Sequence, residues 1–224
     1  MKILVLGDSH TELQQEKNTQ KDHSWLHHIC RDYPEHNFVS YAKMGASHLY
    51  YDMCIKHAIT HHNDWDYCIV QWTSDERFFL PLKPTKVSDK LIWQENQIHN
   101  NAIQVDMNLD HCRIFANHVT VPNHSNLIVK EENYLGSKIP SEFTKLFKNS
   151  FQQLYNQFFK KIITFSVVRS PTTTDDVMFE YLIRKYGEKK FAIDFITETL
   201  HLHFKGSRMA VEDFIKPFVL SKIL

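Results

Sequence analysis

Short apolar runs alternate along this chain with stretches whose apolar residues recur every three or four positions. Lys2–Leu6, Asn37–Tyr41, Tyr67–Trp72, Ile162–Val168 and Phe191–Phe195 are each brief and rich in β-branched, aromatic or Leu residues, which predicts five strands. Between them the period changes. Trp25, Leu26, Ile29 and Tyr33 lie on one helical face, behind Ser24 as a possible cap and before Pro34 as a stop. Ala46, Tyr50, Met53, Cys54, His57 and Ala58 make a second such face. A third, starting at Ser141 or Glu142, carries Phe143, Leu146, Phe147, Phe151, Leu154, Tyr155, Phe158 and Phe159. Asp175–Tyr186, closed by Gly187, and Gly206–Leu220 complete the helices. Strands that alternate with helices from end to end predict an α/β chain. The expected form is a three-layer α/β/α sandwich around a mainly parallel five-stranded sheet, buried on both faces.

Two stretches depart from the alternation. Residues 11–22 are too polar for a packed helix and read as a surface loop. Residues 78–142 are rich in Asn, His and Lys and contain Pro81, Pro84 and Pro122. Ordered connections in such folds are short, so this segment reads as an insertion or lid on a single domain spanning residues 1–224. Lys plus Arg and Asp plus Glu balance at 26 each, which argues against a nucleic-acid partner. The apolar run at the N-terminus stops at Gly7 and Asp8, short of the roughly 7–15 residues a signal peptide needs. No stretch approaches the ~20 apolar residues of a membrane span. A cytoplasmic protein with no membrane partner is the expectation. Cys30, Cys54, Cys68 and Cys112 form no CxxC pair and read as reduced core thiols. The 15 histidines include the pairs His27-His28 and His61-His62, but adjacent residues point to different sides of a helix, so no metal site is expected.

In a parallel sheet the chemistry collects in the loops that follow the strands. Gly7-Asp8-Ser9-His10 follows the first strand, which exposes the Ser9 hydroxyl where a substrate can reach it. The same residues also make an ordinary turn, since Asp and Ser are common there. Near the other end, Glu198-Thr199-Leu200-His201 precedes Gly206 and the last helix. A carboxylate three residues before a histidine can reach back to its Nδ1, the orienting role in a nucleophile–base–acid triad. A surface His beside a surface Glu, or a stray His201/His203 metal pair, are the plainer readings.

Taken in order, these blocks resemble the GDSL/SGNH hydrolases: a first strand ending in Gly-Asp-Ser, a Gly after the second strand within Tyr41-Ala42-Lys43-Met44-Gly45-Ala46-Ser47, and an acid-x-x-His with Gly five residues on. The resemblance covers most of the chain outside 78–142. It implies a flavodoxin-like fold, Ser9 as nucleophile, His201 as base and Glu198 as its acid, where the family normally has Asp. Asp194 is a less favoured acid, seven residues from His201. The resemblance also implies an oxyanion hole from the backbone N–H groups of Ser9 and Gly45, with a third donor from an Asn after the third strand.

That third block is not matched. The family pattern Gly-x-Asn-Asp falls on Thr73-Ser74-Asp75-Glu76, so Asp75 stands where the Asn should be. An ionised carboxylate has no hydrogen to donate and repels a developing oxyanion. Gln71, Ser74 and Arg77 carry donors nearby, and Ser74 is favoured by position. The resemblance implies a serine esterase acting without metal or cofactor on an O-acyl ester, of a carbohydrate or of a small lipid. The alternative is a catalytically inactive protein of the same fold that binds glycan or protein. A third reading is an assembly protein whose insertion mediates contacts between copies. Neither the acyl group nor the oligomeric state is legible here.

Overall fold

The computed structural model describes residues 1–13, 24–44, 46–62, 64–73, 93–107, 138–170, 172–196, 202 and 204–223. Its strands are β1 (Lys2–Leu6), β2 (Asn37–Ser40), β3 (Tyr67–Trp72), β4 (Trp93–His99), β5 (Ala102–Met107) and β6 (Lys161–Ser166). Its helices are α1 (Trp25–Asp32), α2 (His48–His61), α3 (Lys138–Tyr155), α4 (Met178–Tyr186), α5 (Glu188–Asp194) and α6 (Phe204–Ala210), the last running on into a π-helical stretch, Val211–Val219. Pro217 lies inside that stretch and brings no N–H to the helix ladder. The strands form one sheet in the order β4-β5-β2-β1-β3-β6, parallel throughout except for β4 against β5. The fold is α/β, with helices on both faces of a mostly parallel sheet.

Two-residue alternation divides the core into its layers. Ile3 and Val5 of β1, Phe38, Ile69, Ile163 and Phe165 pack with Trp25, Leu26 and Ile29 of α1 and with Met178, Leu182, Val211 and Phe214. Leu4 and Leu6 of β1, Val39, Cys68, Val70 and Trp72 face the other way, onto Tyr51, Cys54 and Ala58 of α2 and Phe151 and Tyr155 of α3. Cys30, Cys54 and Cys68 are buried free thiols; Cys112 lies outside the described residues.

The sheet has six strands where the sequence pattern gives five, and the difference has two sources. Phe191–Phe195 is not a strand: Glu188–Asp194 is helical. A strand would set Phe191, Ile193 and Phe195 on one face. Here Phe191 and Phe195 are buried and Ile193 is 66% exposed, so the residues obey the four-residue spacing of a helix. Conversely, β4 and β5 come from within 78–142. They form an antiparallel hairpin whose inner strand pairs with β2. Gln94, Glu95 and Asn96 make β4 polar, as suits an exposed sheet edge that must not recruit another strand. Residues 93–107 are therefore part of the sheet. The rest of the 78–142 segment before Lys138 lies outside the described residues, as do 14–22 of the polar loop. The third helix begins earlier than Ser141, at Lys138, and Pro140 falls in its first turn, where a missing N–H costs nothing.

Side chains dock the hairpin on both helical layers. Asn101 in its turn donates through Nδ2 to the carbonyl oxygens of Cys30 (2.9 Å), Tyr33 (3.1 Å) and His36 (3.0 Å), from the last turn of α1 to the start of β2. His99 shares a hydrogen with His27 of α1 at 2.8 Å. On the other side Trp93 stacks on His57 of α2 at 4.3 Å, and His57 Nδ1 meets the Tyr41 hydroxyl at 2.8 Å. Glu95 pairs with His62 at 3.1 Å.

Two consequences are measurable. A Cβ on Gly206 would lie 2.4 Å from the Cα and the carbonyl oxygen of Phe195, where α6 crosses the end of α5. Gly206→Ala should cost about 1–3 kcal/mol, a fall in Tm of roughly 2–12 °C for a chain of this size; an unchanged Tm would show that the crossing is loose. Burial first, then the neighbouring His61 and His62, hold His57 down from 6.5 to about 4. Between those values the unfolded chain takes up a proton that the folded protein refuses. Stability should thus fall as pH drops through that window and be fully present above it. His57→Phe should flatten this part of the pH–stability curve in urea titrations.

Candidate active site

β1 lies between β2 and β3. The chain leaves β1 through α1 to reach β2 on one side, then returns through α2, in the opposite layer, to reach β3 on the other. The strand order thus reverses at β1, and a crevice opens at the carboxyl ends of strands at such a point. Ser9 stands there, half-buried, in the loop that follows β1.

The loop is one tight turn. Asp8 O accepts from Thr11 N at 2.9 Å and from Glu12 N at 3.0 Å, and Asp8 Oδ1 accepts from His10 N at 3.0 Å. Short polar side chains suit this kind of local bond. The His10 ring meets Phe179 edge-on at 5.5 Å. Gly7 is required by contact and not by backbone angle: an added Cβ would fall 2.6 Å from both Cβ and Oγ1 of Thr11, which folds back beneath the turn. Thr11 accepts from Trp25 Nε1 at 2.9 Å and donates to Gln71 Oε1 at 3.0 Å. Gln71 Oε1 also accepts from Asp8 N at 3.0 Å, while Gln71 Nε2 donates to Trp72 O at 2.7 Å.

The loop after β2 lies alongside. Lys43 N donates to Gly7 O at 3.1 Å, and Met44 N donates to Glu12 Oε2 at 3.0 Å. Ala46 N closes a turn onto Lys43 O at 2.9 Å, and Ser47 then caps α2 by accepting from Tyr50 N at 3.3 Å. Gln104 of β5 joins the two loops. Its Oε1 accepts from Leu13 N at 3.1 Å and its Nε2 donates to Ala42 O at 2.7 Å. Lys43 pairs with Asp106, also on β5, at 3.3 Å.

The structure thus brings the Ser9 turn, the Lys43–Ser47 loop and the end of β3 together. Gly45, Ser74, Asp75 and Arg77 lie outside the described residues, and so do Glu198 and His201. The segment holding those last two is flanked by a bridge between Ile196 and Leu202, and Leu202 is buried in the same apolar cluster as Leu13. Asp194, the other candidate acid, ends α5 and is half-buried. Gln71, one of the candidate oxyanion donors, is fully buried with its amide nitrogen directed to the Trp72 carbonyl. Thr73 just beyond it is buried too, and its hydroxyl has no hydrogen-bond partner among the described residues.

Residues that join the loops, Thr11, Glu12, Lys43, Gln104 and Asp106, carry no motif. Gln104 alone leaves a signal in the sequence, a Gln set among apolar strand residues in Ala102-Ile103-Gln104-Val105, because a glutamine inside a buried strand must find partners there. Among the described residues no three His, Cys, Asp or Glu side chains are grouped to hold a metal ion, and no helix is long and apolar enough to cross a membrane. No protein-family profile matches the chain, and no curated protein does.

Gly7→Ala should force Thr11 out from beneath the turn. The expected cost is about 1–3 kcal/mol, as for overpacking elsewhere, read as a lower urea midpoint. A midpoint equal to that of the unaltered protein would mean that Thr11 yields freely.

Proposed function

We propose that this protein is a serine hydrolase of the esterase type. The observation that carries the reading is the placement of Ser9, half-buried in a braced turn at the carboxyl end of the central strand, where the strand order reverses. Ser9 Oγ attacks the carbonyl carbon of an ester while His201, oriented by Glu198, takes the hydroxyl proton. The tetrahedral oxyanion is held by the backbone N–H groups of Ser9 and Gly45. As it collapses, the ester C–O bond breaks and the alcohol leaves with the proton from His201. Water, deprotonated by His201, then attacks the acyl-enzyme, and Ser9 recovers its proton as the carboxylic acid departs. No metal or cofactor enters the cycle. The substrate class is an O-acyl ester, on a carbohydrate or a small alcohol. Buried thiols at Cys30, Cys54 and Cys68 suit a reducing, cytoplasmic setting.

The mismatch at Asp75 favours a second reading, a non-catalytic protein that binds glycan or protein in the same cleft. A fluorophosphonate probe separates the two, because it labels an activated serine and spares an ordinary one. The esterase reading expects labelling of the wild-type protein at Ser9, hydrolysis of a nitrophenyl acetate, and loss of both in Ser9→Ala with the fold intact. His201→Ala should lose about as much, and the double variant little more, since the two act as one unit. No labelling and no hydrolysis would leave the binding reading.

Asp75→Asn tests the third block separately. If Asp75 occupies the family's Asn place, the change should raise kcat/KM by up to ~10²–10³-fold, the contribution of one oxyanion donor. If Ser74 already fills that place, Asp75→Asn should be nearly silent and Ser74→Ala should slow the reaction. Neither change altering the rate would refute this assignment of the block.

A further inference from the structure

Gln71 is a residue whose burial demands an account. It sits near the end of β3, fully buried, in a strand whose neighbours are Ile69, Val70 and Trp72. An apolar side chain would fill such a place without the cost of desolvating a carboxamide. What the carboxamide does is specific. Its oxygen accepts from Asp8 N at 3.0 Å, in the Gly7–Asp8 peptide one residue before Ser9, and from the Thr11 hydroxyl at 3.0 Å, on the far side of Ser9. Its nitrogen donates to Trp72 O at 2.7 Å, and the Gln71 carbonyl in turn accepts from the Tyr51 hydroxyl at 2.9 Å.

The polarity of this set has one solution. Asp8 N is a donor and Trp72 O an acceptor, which fixes which end of the amide faces each. The Trp25 indole N–H already donates to Thr11 Oγ1 at 2.9 Å, so the Thr11 hydroxyl hydrogen is directed to Gln71. Trp25 and Thr11 are as fully buried as Gln71, so the chain of bonds runs through the dry interior. It grips the nucleophile turn on both sides of Ser9, and rigid placement of a reacting group is itself catalytic.

We infer that Gln71 is a positioning residue for Ser9: it touches no substrate, and its carboxamide fixes the turn so that Ser9 Oγ and the oxyanion donors keep a reactive geometry. This rests on the esterase reading above. The discriminating variant is Gln71→Glu, which has the same shape. Protonated, it offers a carbonyl oxygen to Asp8 N and Thr11 and a hydroxyl to Trp72 O. Ionised, it has no hydrogen to give, and two acceptors face each other. Burial raises the pKa of such a carboxyl group, so its ionisation should fall within a workable pH range.

The measurement is the rate of Ser9 labelling by a fluorophosphonate, with kcat and KM on a nitrophenyl ester, as the ratio of variant to wild type at each pH. The ratio removes the protonation of His201, which both proteins share. The inference expects a ratio near one at low pH that falls as pH rises, by up to about 10²-fold. The loss should sit in kcat, with KM steady and the circular dichroism spectrum unchanged. A ratio that stays flat, or that falls only in step with unfolding, overturns it. Should Gln71→Glu not fold at any pH, Thr11→Val removes one of the two bonds to Oε1 at constant shape. It should slow labelling several-fold, with Thr11→Ser restoring it, and a folded Thr11→Val at the wild-type rate overturns the inference. Wild-type protein that is not labelled at Ser9 overturns the esterase reading and this inference with it. A labelled wild type with an indifferent Gln71→Glu overturns this inference alone.

Discussion

β1 is buried on both faces, and most of the architecture follows from accommodating it. Ile3 and Val5 need one apolar layer, Leu4 and Leu6 another, and each layer has to come from helices that the short connections can deliver. Parallel neighbours on both sides, β2 and β3, satisfy the strand's backbone. With both faces and both edges used, the strand meets solvent only at its ends. The carboxyl end is where Gly7, Asp8 and Ser9 stand, so topology brings a half-buried Ser9 to the end of the strand.

That placement creates a polar problem inside the molecule. A turn directly after a buried strand carries N–H and C=O groups into a region where water is scarce, and each group left without a partner costs about 1–3 kcal/mol. Two glutamines answer it. Gln71, from the strand on one side of β1, holds Asp8 N and Thr11. Gln104, two strands away on the other side, holds Leu13 N and Ala42 O. Since a carboxamide is at once donor and acceptor, Gln104 joins the loops after β1 and β2, and Gln71 ties the loop after β1 to the end of β3. The same side chains that remove the desolvation cost also fix how these loops sit against one another.

The hairpin of β4 and β5 belongs to this account. By pairing with β2 it turns an edge strand into an inner one, and it delivers Gln104 and Asp106 to the loops at the carboxyl end. Its own hold on the body is largely aromatic and imidazole-based: Trp93 on His57, His99 against His27, Glu95 against His62. Several of the histidines that look like a surplus in the composition are used in this docking.

The sequence by itself determined the layers, because burial on two faces writes continuous apolar strands and burial on one face writes a helical stripe, and β1, α1, β3 and β6 carry such patterns plainly; in α2 the buried face also takes in Tyr51 and Ile55, which the apolar spacing left out. It also determined where Ser9 falls, since a Gly-Asp-Ser following the first strand stands at the strand's carboxyl end in any parallel arrangement. Phe191–Phe195 was not decided locally. Five residues with apolar ends fit either period, and only the neighbours that bury Phe195 and leave Ile193 in solvent choose the helix. The polar strand β4 was equally hidden, because an edge strand has no buried pattern to show until its partner is known. The roles of Gln71 and Gln104 belong to the tertiary structure: the loop groups they hold lie 60 to 91 residues away in the chain, and a hydrogen bond over that separation is fixed by register between strands and not by any local spacing.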